Sequence, residues 1–258
     1  MNDAVKKHIM RGLEKGVRAD GRKLIEMRDI SIETGASKNA EGSARVKIGD
    51  SEVIAGVKLA VESPFGDTSD QGNLMVNAEL LPLSSSRFEV GPPSIEGILL
   101  ARVIDRGIRE AHAIDVKKLC IKQGDKVWSV SVDICTINDD GNLLDASALA
   151  AMAAIKDAVY PEYDMETNSV NYSKKTTKKL PLAKEPVQVT VHKIGTHLLI
   201  DPLPEEQELA EAQLTIATLA NGEICALQKT GKAPFSLVEI EKMLSVSGTQ
   251  SAELRKLL

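Results

Sequence analysis

The chain has 258 residues, 43% hydrophobic and 27% charged, ordinary globular proportions that exclude disorder as its main state. Its 32 basic residues against 37 acidic ones give a net charge of −5, which excludes gripping nucleic acid by bulk positive charge, so an anion site must be a local patch. Cys120, Cys135 and Cys225 are widely spaced without a CxxC pair, the pattern of reduced intracellular thiols, and the charged N-terminus carries no signal-peptide core.

Val5, Ile9 and Leu13 recur every four residues after Asp3 and predict a short amphipathic helix. β-rich runs follow at Ile30–Ile32, Ala44–Ile48 and Ser51–Val61, the last two divided by a Gly49-Asp50 hairpin turn. Residues 94–112 form the first strong helical pattern, after Pro92-Pro93 and with Ser94 as N-cap. Strands are expected at 117–123 and 127–136, separated by Gly124-Asp125. The loop 138–142 leads to an alanine-rich helix at 145–159 with Asp145 as its cap. Residues 161–186, with two lysine pairs and prolines at both ends, read as a connecting segment. Strands resume at 187–192, 197–201, 213–219 and 223–228, and a last helix opens at Ser236, with Glu239 completing a capping box. Lys47-Ile48-Gly49 and Lys193-Ile194-Gly195 echo one another, each ahead of strands and a long helix. The expected class is mixed α/β with mixed sheets, one domain over 1–258 with two similar halves, 18–160 and 187–258.

No histidine pair has zinc-site spacing, and His8, His112, His192 and His197 read as structural or exposed. Nucleophile-elbow, Walker and dinucleotide-binding patterns are absent from the sequence, so neither metal nor cofactor is expected. The acidic pairs Asp139/Asp140 and Glu205/Glu206 read as solvated. Seven aromatic residues are too few for a base-stacking sheet, and no uncharged apolar run approaches the ~20 residues of a membrane helix. Basic residues stand out instead. Helical projection puts Arg102, Arg106 and Arg109 within about 60° of one another, with Leu100, Ile104 and Ile108 on the core face. Guanidinium forks match phosphate oxygens, so the stripe is a candidate phosphate-backbone clamp. Its alternative is a solvated face paired to Asp105 and Glu110.

Arg18-Ala19-Asp20-Gly21-Arg22, followed by Arg28, resembles the RxDGR…R signature of the RNase PH superfamily. Glu41-Gly42-Ser43-Ala44 with Gly49-Asp50-Ser51-Glu52-Val53 resembles that family's GSA…G-T-x-V hairpin, and Ser131-Val132-Asp133-Ile134 leading to Asp139-Asp140-Gly141 its strand-to-loop block. The match implies an RNase PH-like fold of the ribosomal protein S5 domain 2-like type. Within the superfamily, the run ARVIDRGIRE (101–110), taken with the departures below, is most similar to non-catalytic RNase PH-like subunits of archaeal exosomes.

Active members place Gly-Ser/Thr-Arg after the Asp-Gly, where a helix N-terminus, a hydroxyl and a guanidinium hold phosphate. Here Asn142-Leu143-Leu144 stands in that place, followed by Asp145, which would repel phosphate. Active members also resemble one another in an EED…E-x-D-M block whose two aspartates serve metal binding and acid catalysis. This chain has Glu205-Glu206-Gln207 and Glu211-Ala212-Gln213-Leu214. A neutral amide is no general acid or base and a poor Mg²⁺ ligand. The resemblance thus implies no catalytic residues in this chain. It further implies a cytoplasmic hetero-hexameric ring, a trimer of heterodimers with a catalytic homologue, under RNA-binding cap proteins. Arg102, Arg106 and Arg109 would contribute to its single-stranded RNA path, and Ile95, Ile98 and Leu99 to subunit contacts. The alternative, a phosphorolytic 3′→5′ exoribonuclease in its own right, would need Leu143, Leu144, Gln207 and Gln213 to do unorthodox chemistry.

Overall fold

The computed structural model describes residues 2–258, among which five α-helices and twelve strands form three sheets. Helix α1 (Asp3–Glu14) starts at Asn2, whose side chain accepts the Ala4 N–H, and packs Ile9 and Leu13 against Ile194 and Leu199. The first sheet contains β1 (Ile30–Thr34), β2 (Gly42–Ile48), β3 (Ser51–Glu62), β4 (Asn73–Glu79), β5 (Cys120–Lys122) and β6 (Lys126–Asn138). Its order is β1-β2-β3-β6-β4, with β5 against β6, and every pairing is antiparallel except β4 on β6. Between β4 and β5 lies α2 (Ile95–Glu110), which begins where the Ser94 hydroxyl accepts the Gly97 N–H. Leu100, Ile104 and Ile108 are buried along it, as their spacing predicts.

Helix α3 (Leu143–Asp157) follows β6 and is buried along almost its whole length. Alternate residues of β3, from Ser51 through Val53, Ala55 and Val57 to Leu59, are buried, the period-2 pattern of a strand with one covered face. Alanines along α3 let the sheet come close. At Gly42 an added Cβ would collide with the Ala154 carbonyl and the Ala158 backbone. Then come β7 (Val159–Asp164), β8 (Ser169–Lys179), β9 (Val187–Ile194), β10 (His197–Ile200), α4 (Pro204–Leu209), β11 (Ala212–Thr218), β12 (Ile224–Gly231) and α5 (Leu237–Leu254). The second large sheet runs β10-β9-β11-β12, all antiparallel. It packs α3 against β9 and α5 against β9 and β11, so one hydrophobic cluster runs from the first sheet through α3 to the second.

The repeated Lys-Ile-Gly runs occupy like positions. Gly49 and Gly195 each enter a two-residue hairpin turn at φ +56° and +57°, between paired Ile48/Ser51 and Ile194/His197. Positive φ in such a tight turn favours glycine.

Four expectations need correction. Helix α3 begins at Leu143, two residues early, because Asn142 takes a left-handed φ of 56° and serves as N-cap without a side-chain bond. Asp145 is therefore no cap. It is fully buried, and its Oδ2 accepts the Thr190 N–H at 3.2 Å. The span 117–123 opens as a 3₁₀ turn, Val116–Leu119, before the short β5. Residues 161–186 hold most of the two-stranded β7–β8 sheet, and β4 went unpredicted altogether.

Candidate functional site

The N-terminal arginines converge on the far half of the chain. Arg18 is buried and pairs with the Glu206 carboxylate, Nε to Oε1 at 2.9 Å, while donating to the carbonyls of Ile200 and Asp201. Arg28 bridges Asp140 at 2.8 Å and Asp201 at 2.7 Å, and Arg22 reaches the other Asp201 oxygen at 2.7 Å. Burial pushes the Asp201 carboxyl up, but the hydrogen bonds and charge of Arg28 outweigh it and hold the group below the usual carboxylate range. Three of the four acidic-pair residues expected to be solvated are thus held by arginines, and only Glu205 is simply exposed. Glu206 and Asp140 close this network, and Asp139 pairs with Arg87 at 2.6 Å.

Asn142 connects the network to a second feature. Its Nδ2 donates to Asp201 Oδ1 at 2.9 Å, and its backbone N–H to Gln207 Oε1 at 3.1 Å. Above it opens a half-open cavity with about 70 Å³ of water-accessible space. The head of α3 supplies Asn142, Leu143 and Leu144, and α4 supplies Gln207. Gln213 on β11 and its cross-strand neighbour His192 on β9 form the sheet side. Helix α2 closes the rest with Glu96, Leu99, Leu100 and Val103.

The four residues that depart from the active pattern, Leu143, Leu144, Gln207 and Gln213, therefore share one wall system although up to 70 positions separate them. Among the described residues lining it, Glu96 alone is charged, and no cation is present. Burial lowers the His192 imidazole to about 4, so it is neutral near pH 7. Beneath, burial raises the Asp145 carboxyl to about 7 against the opposing hydrogen bonds of Thr190.

The arginine stripe lies beside the cavity-facing side of α2. Arg102, Arg106 and Arg109 are all exposed. No hydrogen bond or ion pair among the described residues holds Arg102, Arg106 donates to Gln228 Oε1 at 3.0 Å, and Arg109 is fastened to Asp105 at 2.6 Å and to the Leu74 carbonyl at 2.9 Å. Ile95 is 87% exposed and Ile98 48%, whereas Leu99 turns into the cavity.

Residues 26–161 match the family model for the 3′ exoribonuclease family, domain 1, and residues 184–249 match domain 2. The chain belongs to the RNase PH family. Exosome complex component Rrp42 of Methanosarcina acetivorans is 42% identical over 254 residues, 98% of this chain and 92% of that protein. The Rrp42 component of Methanocella arvoryzae is 45% identical over 244 residues, 95% and 91% of the two chains. Among solved structures, a chain of the Archaeoglobus fulgidus exosome with RNA bound to the active site matches at TM-score 0.91 and 42% identity, covering 98% of this chain and 97% of that one. A chain of an archaeal exosome core matches at 0.87 and 39%, covering 98% and 96%.

Within this RNase PH frame the residues missed from sequence are Glu96, Leu99, Leu100, Val103 and His192. Those on α2 carried a usable signal, since Glu96, Leu99/Leu100 and Val103 recur at i, i+3/i+4 and i+7 beside the arginines. His192 carried none. A lone histidine in a strand pattern does not reveal which face it takes.

Proposed function

We propose that this RNase PH-family chain is the non-catalytic ring subunit of an archaeal exosome, a phosphorolytic 3′→5′ RNA-degrading complex. The single observation that carries the reading is the cavity at the head of α3. Phosphorolysis needs a held phosphate and a group that protonates the leaving oxygen. Here two leucines replace the hydroxyl and guanidinium, two neutral amides replace the aspartates, and the Gln207 amide already occupies the Asn142 N–H. The relatives named as exosome components and the likeness to an RNA-bound exosome support the same reading.

In this role the chain acts as one RNase PH-like unit over 1–258, in the cytoplasm. It alternates with a catalytic homologue in a hetero-hexameric ring that carries RNA-binding caps. Among the described residues no helix is long and apolar enough to cross a membrane. Arg102 and Arg106 point guanidinium groups toward the RNA phosphates at the neighbour's active site. Arg109 is a third contributor, because an exposed pair such as Arg109–Asp105 is worth only about 0–1 kcal/mol and yields to phosphate.

The test is direct. The purified chain, given RNA, phosphate and Mg²⁺, should release no nucleoside diphosphate. Leu143→Ser with Leu144→Arg should not restore release, because Gln207 and Gln213 still supply no carboxylate. Robust phosphate-dependent release by the chain free of any homologue overturns the proposal and favours an enzyme active in its own right.

A further inference from the structure

The hairpin of β7 and β8 carries a charge pattern that the ring-subunit role leaves unused. Residues 167–184 hold five lysines, Lys174, Lys175, Lys178, Lys179 and Lys184, and no acidic residue, in a chain whose net charge is −5. The four on β8 are exposed, and the strand lies between the two family-model matches, 26–161 and 184–249. Among the described residues only Lys174 of the four has a carboxylate partner, Glu162 at 2.6 Å. Lys175 donates to the Ala40 carbonyl, and Lys179 to those of Lys156 and Asp157 at 2.9 and 2.8 Å. Lys178 stands 4.9 Å over the Tyr160 ring. Carbonyls and rings orient an ammonium group without cancelling its charge. At ~3.3 Å per residue the run from Lys174 to Lys179 spreads positive charge over about 16 Å of strand, long enough for more than one phosphate.

Tyr172 adds an aromatic ring at the head of this run. It is 48% exposed, and Lys58 Nζ lies 5.0 Å from the ring centroid while pairing with the buried Glu41 at 2.8 Å. Beside the ring a cleft with about 380 Å³ of water-accessible space opens between β8, the end of β3 and the start of β6. Val61, Val170 and Tyr172 wall it, and Glu62 and Asp125 flank it. We propose that β8 is a second RNA-contact surface, with the phosphates of a single strand along Lys174, Lys175, Lys178 and Lys179 and a base stacked on Tyr172. A positive strip beside an exposed ring holds single strands without sequence preference. The two carboxylates keep phosphate out of the cleft and leave it to a neutral base. An acidic protein segment could use the lysines but has no use for the ring. The inference rests on the exosome reading for RNA as the polyanion, so its test reports on that reading separately.

Binding of a fluorescent oligouridylate to the full chain is measured by anisotropy across ionic strength. Every protein carries Arg102→Ala and Arg106→Ala, so that the α2 stripe is silent and this parent reports β8. Lys174→Gln with Lys178→Gln removes two charges that hold no backbone carbonyl. It should weaken binding and flatten the salt dependence by about 1.4 units of slope, ~0.7 for each phosphate contact on a single strand. Tyr172→Leu should weaken binding about fivefold or more, and Tyr172→Phe should keep the parent's affinity. If the leucine variant fails to fold, the lysine pair decides. No saturable binding by the parent, or unchanged affinity and slope in the folded variants, overturns the proposal. Competition by polyglutamate together with intact RNA binding in Tyr172→Leu also overturns it, and marks the strip as a dock for an acidic protein. Light scattering of the same chains mixed with the catalytic homologue reports the ring on its own, so a missing ring overturns the exosome reading and leaves the salt slopes to judge the surface.

Discussion

Arg18 and Glu206 lie with both charged groups removed from water, and each also contacts backbone groups, Ile200 O and Asp201 O for the arginine and Leu203 N–H for the glutamate. Removing one partner of such a pair leaves an uncompensated buried charge. Arg18→Ala should therefore lower stability by roughly 3–5 kcal/mol, read from urea unfolding, whereas Arg18→Met combined with Glu206→Leu should lose clearly less. Equal losses would show that the pair's packing, not its charge balance, matters. Asp145 and His192 set up opposing pH dependences. Asp145 has a folded pKa of about 7, above its ordinary 3.8, so its favourable contribution is full below about pH 4 and is lost as pH rises through 7. His192 has a folded pKa of about 4, below its ordinary 6.5, so folding expels a proton and stability rises between those values. Between about pH 4 and 6.5 the two slopes cancel. Asp145→Asn should unmask the histidine, giving a stability that climbs with pH more steeply than wild type across that window. Parallel profiles for the two proteins would rule this out.

Helix α2 shows what an element's sequence can and cannot reveal. Its Ser94 cap, its buried Leu100/Ile104/Ile108 stripe and its exposed arginines follow from 3.6-residue periodicity and capping chemistry alone. Periodicity did not reveal which acid would claim which arginine. Asp105 reaches Arg109 one turn on, where the i,i+4 geometry closes, rather than its neighbour Arg106. The misread elements have local causes. NLMVNAE at β4 carries asparagines and a glutamate, poor strand formers, and gains its place by parallel pairing with β6. The lysines of β8 look like a linker but act as stays, with Lys175 donating to the Ala40 carbonyl and Lys179 to those of Lys156 and Asp157. On α2 itself, Arg102→Ala and Arg106→Ala within the assembled ring should each weaken RNA binding independently of sequence. Each should also flatten the salt dependence by about one unit of slope, measured by binding titrations across ionic strength. Arg109→Ala should do less, since its guanidinium must first give up Asp105 and the Leu74 carbonyl to reach phosphate. Unaltered affinity at every salt concentration would return the stripe to a solvated face.

For the whole molecule, the resemblance located the neutral substitutions at 143, 144, 207 and 213, but only the packing of α3 against β9, with β11 paired beside β9, shows them facing one cavity. The arginine network was legible as a signature and not as a structure, because nothing in a run of residues near the N-terminus names a partner far down the chain. Ile95, at 87% exposure, and Ile98 form an apolar surface beside the stripe that a subunit neighbour would cover. Light scattering of an equimolar mixture with the catalytic homologue should give a hexameric mass, and a mixture of monomers alone would refute the ring. The same network also dictates a schedule. Arg18 and Glu206 stand 188 positions apart, and ribosomes add about 5–20 residues per second. The first arginine is therefore added roughly 10–40 seconds before its carboxylate exists. A nascent chain carrying only the first sheet holds Arg18, Arg22 and Arg28 without Asp201 or Glu206 to receive them. Closure of the fold thus waits until residues 201–206 have been made, and a messenger cut short before codon 201 yields a product that cannot seal its own N-terminus.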